Sequence, residues 1–305
     1  MLTDDSREAE QQISNCLAVV GVGAMGGAVA RRLCRVGYSV SVFDLDTARS
    51  REIAGDDMRV ASSASDAASD ADLIVTCLPD GTSLVSAILG LDGVSSSARA
   101  GSIVLDLSTV LPEESQLIAS ELAGRDVGFV DCPVARTTDH ALRGELVAML
   151  GGAPDAIAAV RPVVEQLATD VIECGPVGSG TTMKLINNLC AMSVLLVTIE
   201  AVAAGELAGI TREVVVEVLS STGVRNGHLL TTIPDRVFRG EYAPGFRTTL
   251  AQKDVRQALE YLGRVGADVR VSSGSLAAIT QLAGTGARNL DVSSYYEMVS
   301  RGISA

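Results

Sequence analysis

The sequence predicts two parts, an α/β domain built on a parallel sheet and then an all-α domain entered through one long helix. Short β-branched runs alternate with helical stretches from Cys16 to about Pro176, a pattern that implies parallel strands with crossover helices on both faces. A glycine-rich segment stands between the first strand and the first helix. Beyond Pro176 the strand candidates give way to helical periodicity.

In chain order, residues 1–15 are acidic and polar and read as a disordered tail. Residues 17–20, 39–43, 73–78, 103–107 and 127–130 are apolar runs bounded by Gly, Asp, Ser or Pro, as expected of strands buried on both faces. Residues 25–36, 82–89 and 113–123 are long enough for crossover helices. Residues 178–207 read as one long helix, followed by helices near 211–220, 227–239, 248–265, 274–284 and 292–301. The expected division is therefore 16–176 for the sheet domain and 177–305 for the helical one.

Composition removes several functional classes. At 305 residues, 47% hydrophobic and 20% charged, the chain is globular and long enough for two cores. A formal net charge of −13 with 3% aromatics argues against nucleic acid, which demands basic surface and stacking platforms. The longest apolar run, residues 189–199, is shorter than the roughly 20 residues of a membrane span. Six cysteines fall singly without a CxxC pair, which suggests reduced core thiols and a cytoplasmic protein. With two histidines, no metal site is expected. The apolar helices of the second domain imply a homodimer or homotetramer.

The first chemical signal is Gly21-Val22-Gly23-Ala24-Met25-Gly26, which follows a strand and opens a helix. Gly21 permits a tight turn, Gly23 lets backbone approach a pyrophosphate, and Gly26 lets the helix pack on the strand. The helix start then offers free N–H groups to phosphate. Asp44 ends the second strand 18 residues after Gly26, where a Rossmann-like fold places its ribose-binding acid. That carboxylate favours NAD over NADP, with Arg49 or Arg51 as the side chains that would admit the extra phosphate.

The second signal lies on the long helix. Lys184 and Asn188 are four residues apart and share a face, with Asn187 beside them. Polar groups inside so apolar a helix are costly to bury unless they face a cleft or pair. At the start of the domain that follows a dinucleotide fold, they stand where a substrate site is expected.

Four motifs in order, Gly-x-Gly-x-Met-Gly at 21–26, Asp-x-Pro-Val at 131–134, Gly-x-x-x-Lys-x-x-Asn-Asn at 180–188 and Lys253-Asp254, resemble the β-hydroxyacid dehydrogenase family, which includes 3-hydroxyisobutyrate dehydrogenase. The resemblance spans nearly the whole chain from Cys16. It implies a Rossmann domain, a long interdomain helix, a helical dimerisation domain and an active site between them. By that likeness Lys184 is the catalytic acid/base, Asn188 positions the substrate, and Lys253 lies near nicotinamide and substrate. Ala24, Met25, Leu78, Pro79, Ser108 and Thr109 fall where the family touches the cofactor. The implied reaction moves a hydride between NAD(H) and a small anionic β-hydroxy acid or aldehyde acid. A lysine whose pKa is lowered toward about 7–8 by burial or a second cation serves both directions, and Lys253 is the candidate for that cation.

One segment departs from the common family form. Where many members read Asp-Ala-Pro-Val-Ser-Gly-Gly, this chain reads Asp131-Cys132-Pro133-Val134-Ala135-Arg136-Thr137-Thr138. Arg136 with Thr137 offers a guanidinium fork and a hydroxyl for a carboxylate or sulfonate. The bland alternative is an Arg136 exposed or paired with Asp139. The Pro-Val-x-Arg-Thr form resembles the sulfolactaldehyde reductase branch, although Ala191 stands where that branch has a serine. Two competing readings are an imine reductase-like NADPH enzyme, against which Lys184 argues, and a catalytically silent nucleotide-binding protein.

Overall fold

The structure, a computed structural model, describes residues 15–301. The expected tail lies outside the described residues except for Asn15, whose carbonyl already accepts a hydrogen bond from the Ser39 N–H at 2.8 Å. The chain divides into two compact units, one up to Lys184 and one from Leu185 onward.

The first unit is a nine-stranded sheet. Its strands are β1 (Cys16–Val20), β2 (Ser39–Phe43), β3 (Arg59–Val60), β4 (Leu73–Thr76), β5 (Ile103–Asp106), β6 (Gly128–Asp131), β7 (Val134–Ala135), β8 (Leu146–Gly152) and β9 (Ala168–Gly175). They lie in the order β3-β2-β1-β4-β5-β6-β8-β7, with β9 also on β8. The first six are mutually parallel, whereas β8 runs antiparallel to β6 and β7. The 3-2-1-4-5-6 core is the doubly wound dinucleotide-binding order, which reverses direction beside β1 and leaves a crevice at the carboxyl ends of the strands.

Alternation along each strand explains the continuous apolar runs. Leu17 and Val19 of β1, Leu73 and Val75 of β4, and Ile103 and Leu105 of β5 join one core layer. Ala18, Val20, Ile74 and Val104 point the other way into a second layer. Successive residues face opposite sides of a pleated sheet, so a strand covered on both sides must be apolar at every position.

Helices α1 (Ala24–Arg35), α2 (Thr47–Ala54), α3 (Ala64–Ala68), α4 (Gly81–Leu89), α5 (Pro112–Ala123), α6 (Thr138–Arg143) and α7 (Pro154–Val164) connect these strands. Asp46, Ser63 and Asp80 cap α2, α3 and α4 by accepting a backbone N–H on the side chain. The sequence pattern omits four of the strands, β3, β7, β8 and β9. β3 and β7 have two residues each, and β9 is mostly solvated, so none of these three carries a buried strand's signature. β8 is apolar but closes on Gly151 and Gly152, which read as loop.

The first unit also contains the start of α8 (Ser179–Leu207), 29 residues that continue unbroken into the second unit. There follow α9 (Arg212–Ser220), α10 (Gly227–Leu230), α11 (Thr248–Arg264), α12 (Arg270–Ala283) and α13 (Tyr295–Ser300). The helix expected over 227–239 is interrupted: α10 ends at Leu230 and a π-helical turn covers Ile233–Val237, where Pro234 lacks the N–H that would continue the ladder. Leu195, Ile199, Val202 and Ala203 of α8 are buried, and Tyr295 donates to Glu200 at 2.7 Å while Tyr296 donates to Glu206.

Helix α8 corrects one expectation. By length and composition it suffices to cross a membrane, because the helix runs well past the apolar run at 189–199. Half of its most apolar window is buried inside the protein, as in a core helix. The cysteines are also less uniform than expected: Cys132 is buried, whereas Cys16 and Cys190 are exposed.

Candidate active site

At the end of β1 the chain turns sharply into α1. Gly21 has φ +88°, and its N–H donates to the Phe43 carbonyl at 2.8 Å. A methyl group at Gly26 would overlap the Gly21 carbonyl oxygen, so α1 lies against the turn only because residue 26 has no side chain. A Cβ on Gly23, by contrast, would meet nothing within 4 Å. No side chain caps α1 and no acid stands in its first turn. This uncapped helix start and the unfilled approach at Gly23 fit a dinucleotide pyrophosphate. Ala24 and Met25 form the first turn of this helix.

Asp44 is tied to the same turn. Its Oδ2 accepts the Val22 N–H at 3.0 Å and its Oδ1 accepts the Asp46 N–H at 2.9 Å. Arg49 stands 3.7 Å from Asp44 and 3.3 Å from Asp46. The acid expected to meet the ribose therefore has a guanidinium next to it.

The loops after β4 and β5 are joined through a buried carboxylate that the motifs do not reveal. Asp106 Oδ1 accepts from Thr76 Oγ1 at 2.7 Å and from Ser108 Oγ at 2.6 Å. Ser108 Oγ in turn accepts the Leu78 N–H at 2.9 Å. Asp106 is fully buried, and its Oδ2 has no hydrogen-bond partner among the described residues. Burial lifts its pKa from 3.8 to about 6, against the bonds from Ser108 and Thr76. Burial, and then the Asp106 charge, push the Cys77 thiol up to about 12. Thus Leu78 and Ser108 are locked together, with the half-exposed Thr109 and the exposed Pro79 adjoining them.

On α8, Lys184 is half-buried and Asn188 is 6% exposed, one helical turn apart. Asn188 Nδ2 donates to Asp254 Oδ2 at 2.7 Å, and Asn187 Nδ2 donates to Asn188 Oδ1 at 3.2 Å. Lys253 Nζ lies 3.1 Å from Asp254 Oδ1. Lys253, expected as a second cation, thus has the Asp254 carboxylate beside it. Asp254 is the residue whose role the motif left blank. A charged side chain in the buried face of α11 is the sequence feature that marks it.

Arg136 does not stand open as an anion fork. Its guanidinium donates to the Glu145 carbonyl at 2.5 Å, to Thr169 Oγ1 at 3.0 Å and to Asp170 Oδ2 at 3.0 Å. The partner is thus Asp170 of β9 and not Asp139, a pairing across strands that local sequence does not show. Its backbone has φ +83°, a conformation that favours glycine and is unusual for arginine. The Thr137 hydroxyl is 2.8 Å from His140 Nδ1.

Comparisons with known proteins agree with this architecture. The profile described as the NAD-binding domain of 6-phosphogluconate dehydrogenase matches residues 16–175, and that described as the NAD-binding domain of NADP-dependent 3-hydroxyisobutyrate dehydrogenase matches residues 178–299. The chain is 28% identical to 3-sulfolactaldehyde reductase of Escherichia coli (strain K12) over 95% of this chain and 98% of that protein. It is 31% identical to mitochondrial 3-hydroxyisobutyrate dehydrogenase of Mus musculus over 77% of this chain and 72% of that one. A solved structure of Mycobacterium tuberculosis 3-hydroxyisobutyrate dehydrogenase with L-serine superposes with a TM-score of 0.84 at 25% identity, covering 92% of this chain and 97% of that chain. Matched along both its sheet domain and its helical domain, the chain belongs to the family of NAD(P)-dependent β-hydroxyacid dehydrogenases, enzymes that act on CH–OH groups.

Proposed function

We propose that this dehydrogenase interconverts a small anionic β-hydroxy acid and the corresponding aldehyde acid, with Lys184 as proton donor and acceptor. The observation that carries the reading is the pairing on α8 of a half-buried lysine with a buried asparagine whose amide is pinned to Asp254. In reduction, Lys184 Nζ hydrogen-bonds the substrate carbonyl and gives it a proton. In oxidation it takes the proton from the hydroxyl, without which the carbon does not release hydride. Asn188 holds the substrate in one orientation because Asp254 fixes its rotamer. NAD(P), when bound, supplies or accepts the hydride.

Arg136 and Thr137 are proposed to hold the substrate anion, with Arg136 exchanging Asp170 for the ligand. NAD is the preferred cofactor in this reading, since Asp44 can accept a 2′-hydroxyl and repels a 2′-phosphate. A sulfonated substrate is the second reading, favoured by the nearly end-to-end match with the sulfolactaldehyde reductase. Cytoplasmic location and a dimer or tetramer belong to the same proposal. The exposed Val197, Leu207, Val214 and Val218 of α8 and α9 support self-association.

The test is a panel of carboxylated and sulfonated aldehyde acids and hydroxy acids, followed at the nicotinamide absorbance with NAD(H) and NADP(H). Turnover is expected with at least one member, and Lys184→Ala should lower kcat by at least about 100-fold with NADH affinity unchanged. A variant that keeps the wild-type rate removes Lys184 from the chemistry. NADH binding without turnover on any member points to a nucleotide-binding protein instead.

A further inference from the structure

Asp131 closes β6 and is fully buried, beside Asp106 in the parallel register of β5 and β6. Its two oxygens are both committed to the start of α8. Oδ1 accepts the Gly178 N–H at 2.7 Å, and Oδ2 accepts the Thr181 N–H at 2.8 Å and the Thr181 hydroxyl at 3.1 Å. Ser115 Oγ, also buried, lies 3.3 Å from the same Thr181 hydroxyl. Gly178 has φ +92°, so the chain bends sharply just before the helix.

Two further glycines exist to let this contact form. A Cβ at Gly180 would strike the Met149 carbonyl of β8, and one at Gly151 would come within 2.5 Å of Asp131 Oδ1 and 2.8 Å of the Gly180 N–H. The first turn of α8 is thus pressed onto β6 and β8 with no tolerance for a methyl group, and one carboxylate fastens it there. Burial raises the Asp131 pKa, and the bonds from Gly178 and Thr181 oppose that rise. A carboxylate at the positive end of a helix is the arrangement in which such bonds are strongest.

The geometry points to Asp131 as a positioning residue that sets the axial and rotational register of α8, and with it the aim of Lys184. Thr181 precedes Lys184 by three residues, less than one turn. A slip of one residue would turn Lys184 by about 100° and move it about 1.5 Å along the axis. Asp131 is fully buried with both oxygens bonded to Gly178 and Thr181, so its effect passes through the helix. This inference rests on Lys184 being the acid/base of the reaction.

The experiment compares Asp131→Asn, Thr181→Val and Lys184→Ala in the full-length protein for kcat, NADH dissociation constant, melting temperature and the solvent isotope effect on kcat. The Asp131→Asn change keeps the side-chain size but turns an amide NH2 toward N–H donors. Expected is a loss of kcat of about tenfold to 100-fold with NADH affinity within twofold, since a misplacement near 1 Å has that scale of effect. The solvent isotope effect should rise, because a misaimed ammonium makes proton transfer slower. Thr181→Val, which removes only the hydroxyl bond, should show the same changes to a smaller degree, and it decides the matter if Asp131→Asn does not fold. A folded Asp131→Asn or Thr181→Val with wild-type kcat and isotope effect overturns the inference. So does a fall in kcat matched by equal losses of NADH binding and melting temperature. If Lys184→Ala is dead while both other variants are normal, only the positioning role falls. If Lys184→Ala is fully active, the acid/base reading falls with it.

Discussion

Asn188 donates to Asp254 at 2.7 Å inside the helical unit, and both residues are almost completely buried. Asp254 also faces the ammonium of Lys253. Asp254→Ala would strand a buried amide and remove the carboxylate that lies 3.1 Å from Lys253 Nζ. The expected result is a loss of about 1–3 kcal/mol in unfolding free energy and a rise of at least tenfold in substrate KM, read by denaturant titration and steady-state kinetics.

Gly23 and Gly26 are expected to fail in different ways. Gly26→Ala drives a methyl into the Gly21 carbonyl, so stability should fall by about 1–3 kcal/mol along with cofactor affinity. Gly23→Ala meets open space in the folded protein and should leave the melting temperature unchanged. It should still weaken NADH binding, because the methyl occupies the pyrophosphate approach. Fluorescence titration beside thermal melts separates the two.

The buried Asp106 predicts a definite pH dependence of stability. Its folded pKa of about 6 lies above the ordinary 3.8, so the folded protein holds a proton that the unfolded chain releases. The contribution is complete below about pH 4 and is lost as pH rises through about 6, amounting to about 3 kcal/mol at most. Unfolding free energies measured from pH 4 to 7 should decline across that window. The decline should be smaller in Asp106→Asn.

Arg136 and Asp170 provide a test of the anion site. If Arg136 leaves Asp170 for substrate, Asp170→Ala removes the competitor and should lower KM severalfold, whereas Arg136→Ala should raise it about tenfold or more. Neither change should cost much stability, because the ion pair is exposed. Unchanged KM in both variants would confine Arg136 to the β8–β9 edge.

Much of this molecule is legible in its sequence, and what is hidden has a common cause. The glycines of the β1–α1 turn, Asp44 and the Lys184–Asn188 spacing are local patterns, and local patterns survive in one dimension. Asp106, Asp131 and Asp254 also act through residues 30, 47 and 66 positions away, and those distant partners leave no mark beside them in sequence. One signal is present for two of them: Asp106 and Asp131 each end an apolar strand run, a position carboxylates rarely take without a purpose. Arg136 shows the converse. Its residue type suggested a free anion fork, while the strand that pairs with it, β9, was too polar to be read as a strand.

The surroundings of the half-buried Cys77 and the buried Cys132 have a practical corollary. Both are held as neutral thiols by their surroundings, and only a thiolate attacks an electrophile readily. Maleimide reagents should therefore tag Cys16 and Cys190, which are exposed, and spare the sulfur next to the glycine-rich turn. A dye on Cys190 would then ride on the same helix as Lys184, less than two turns from it, as an optical reporter of that helix during turnover.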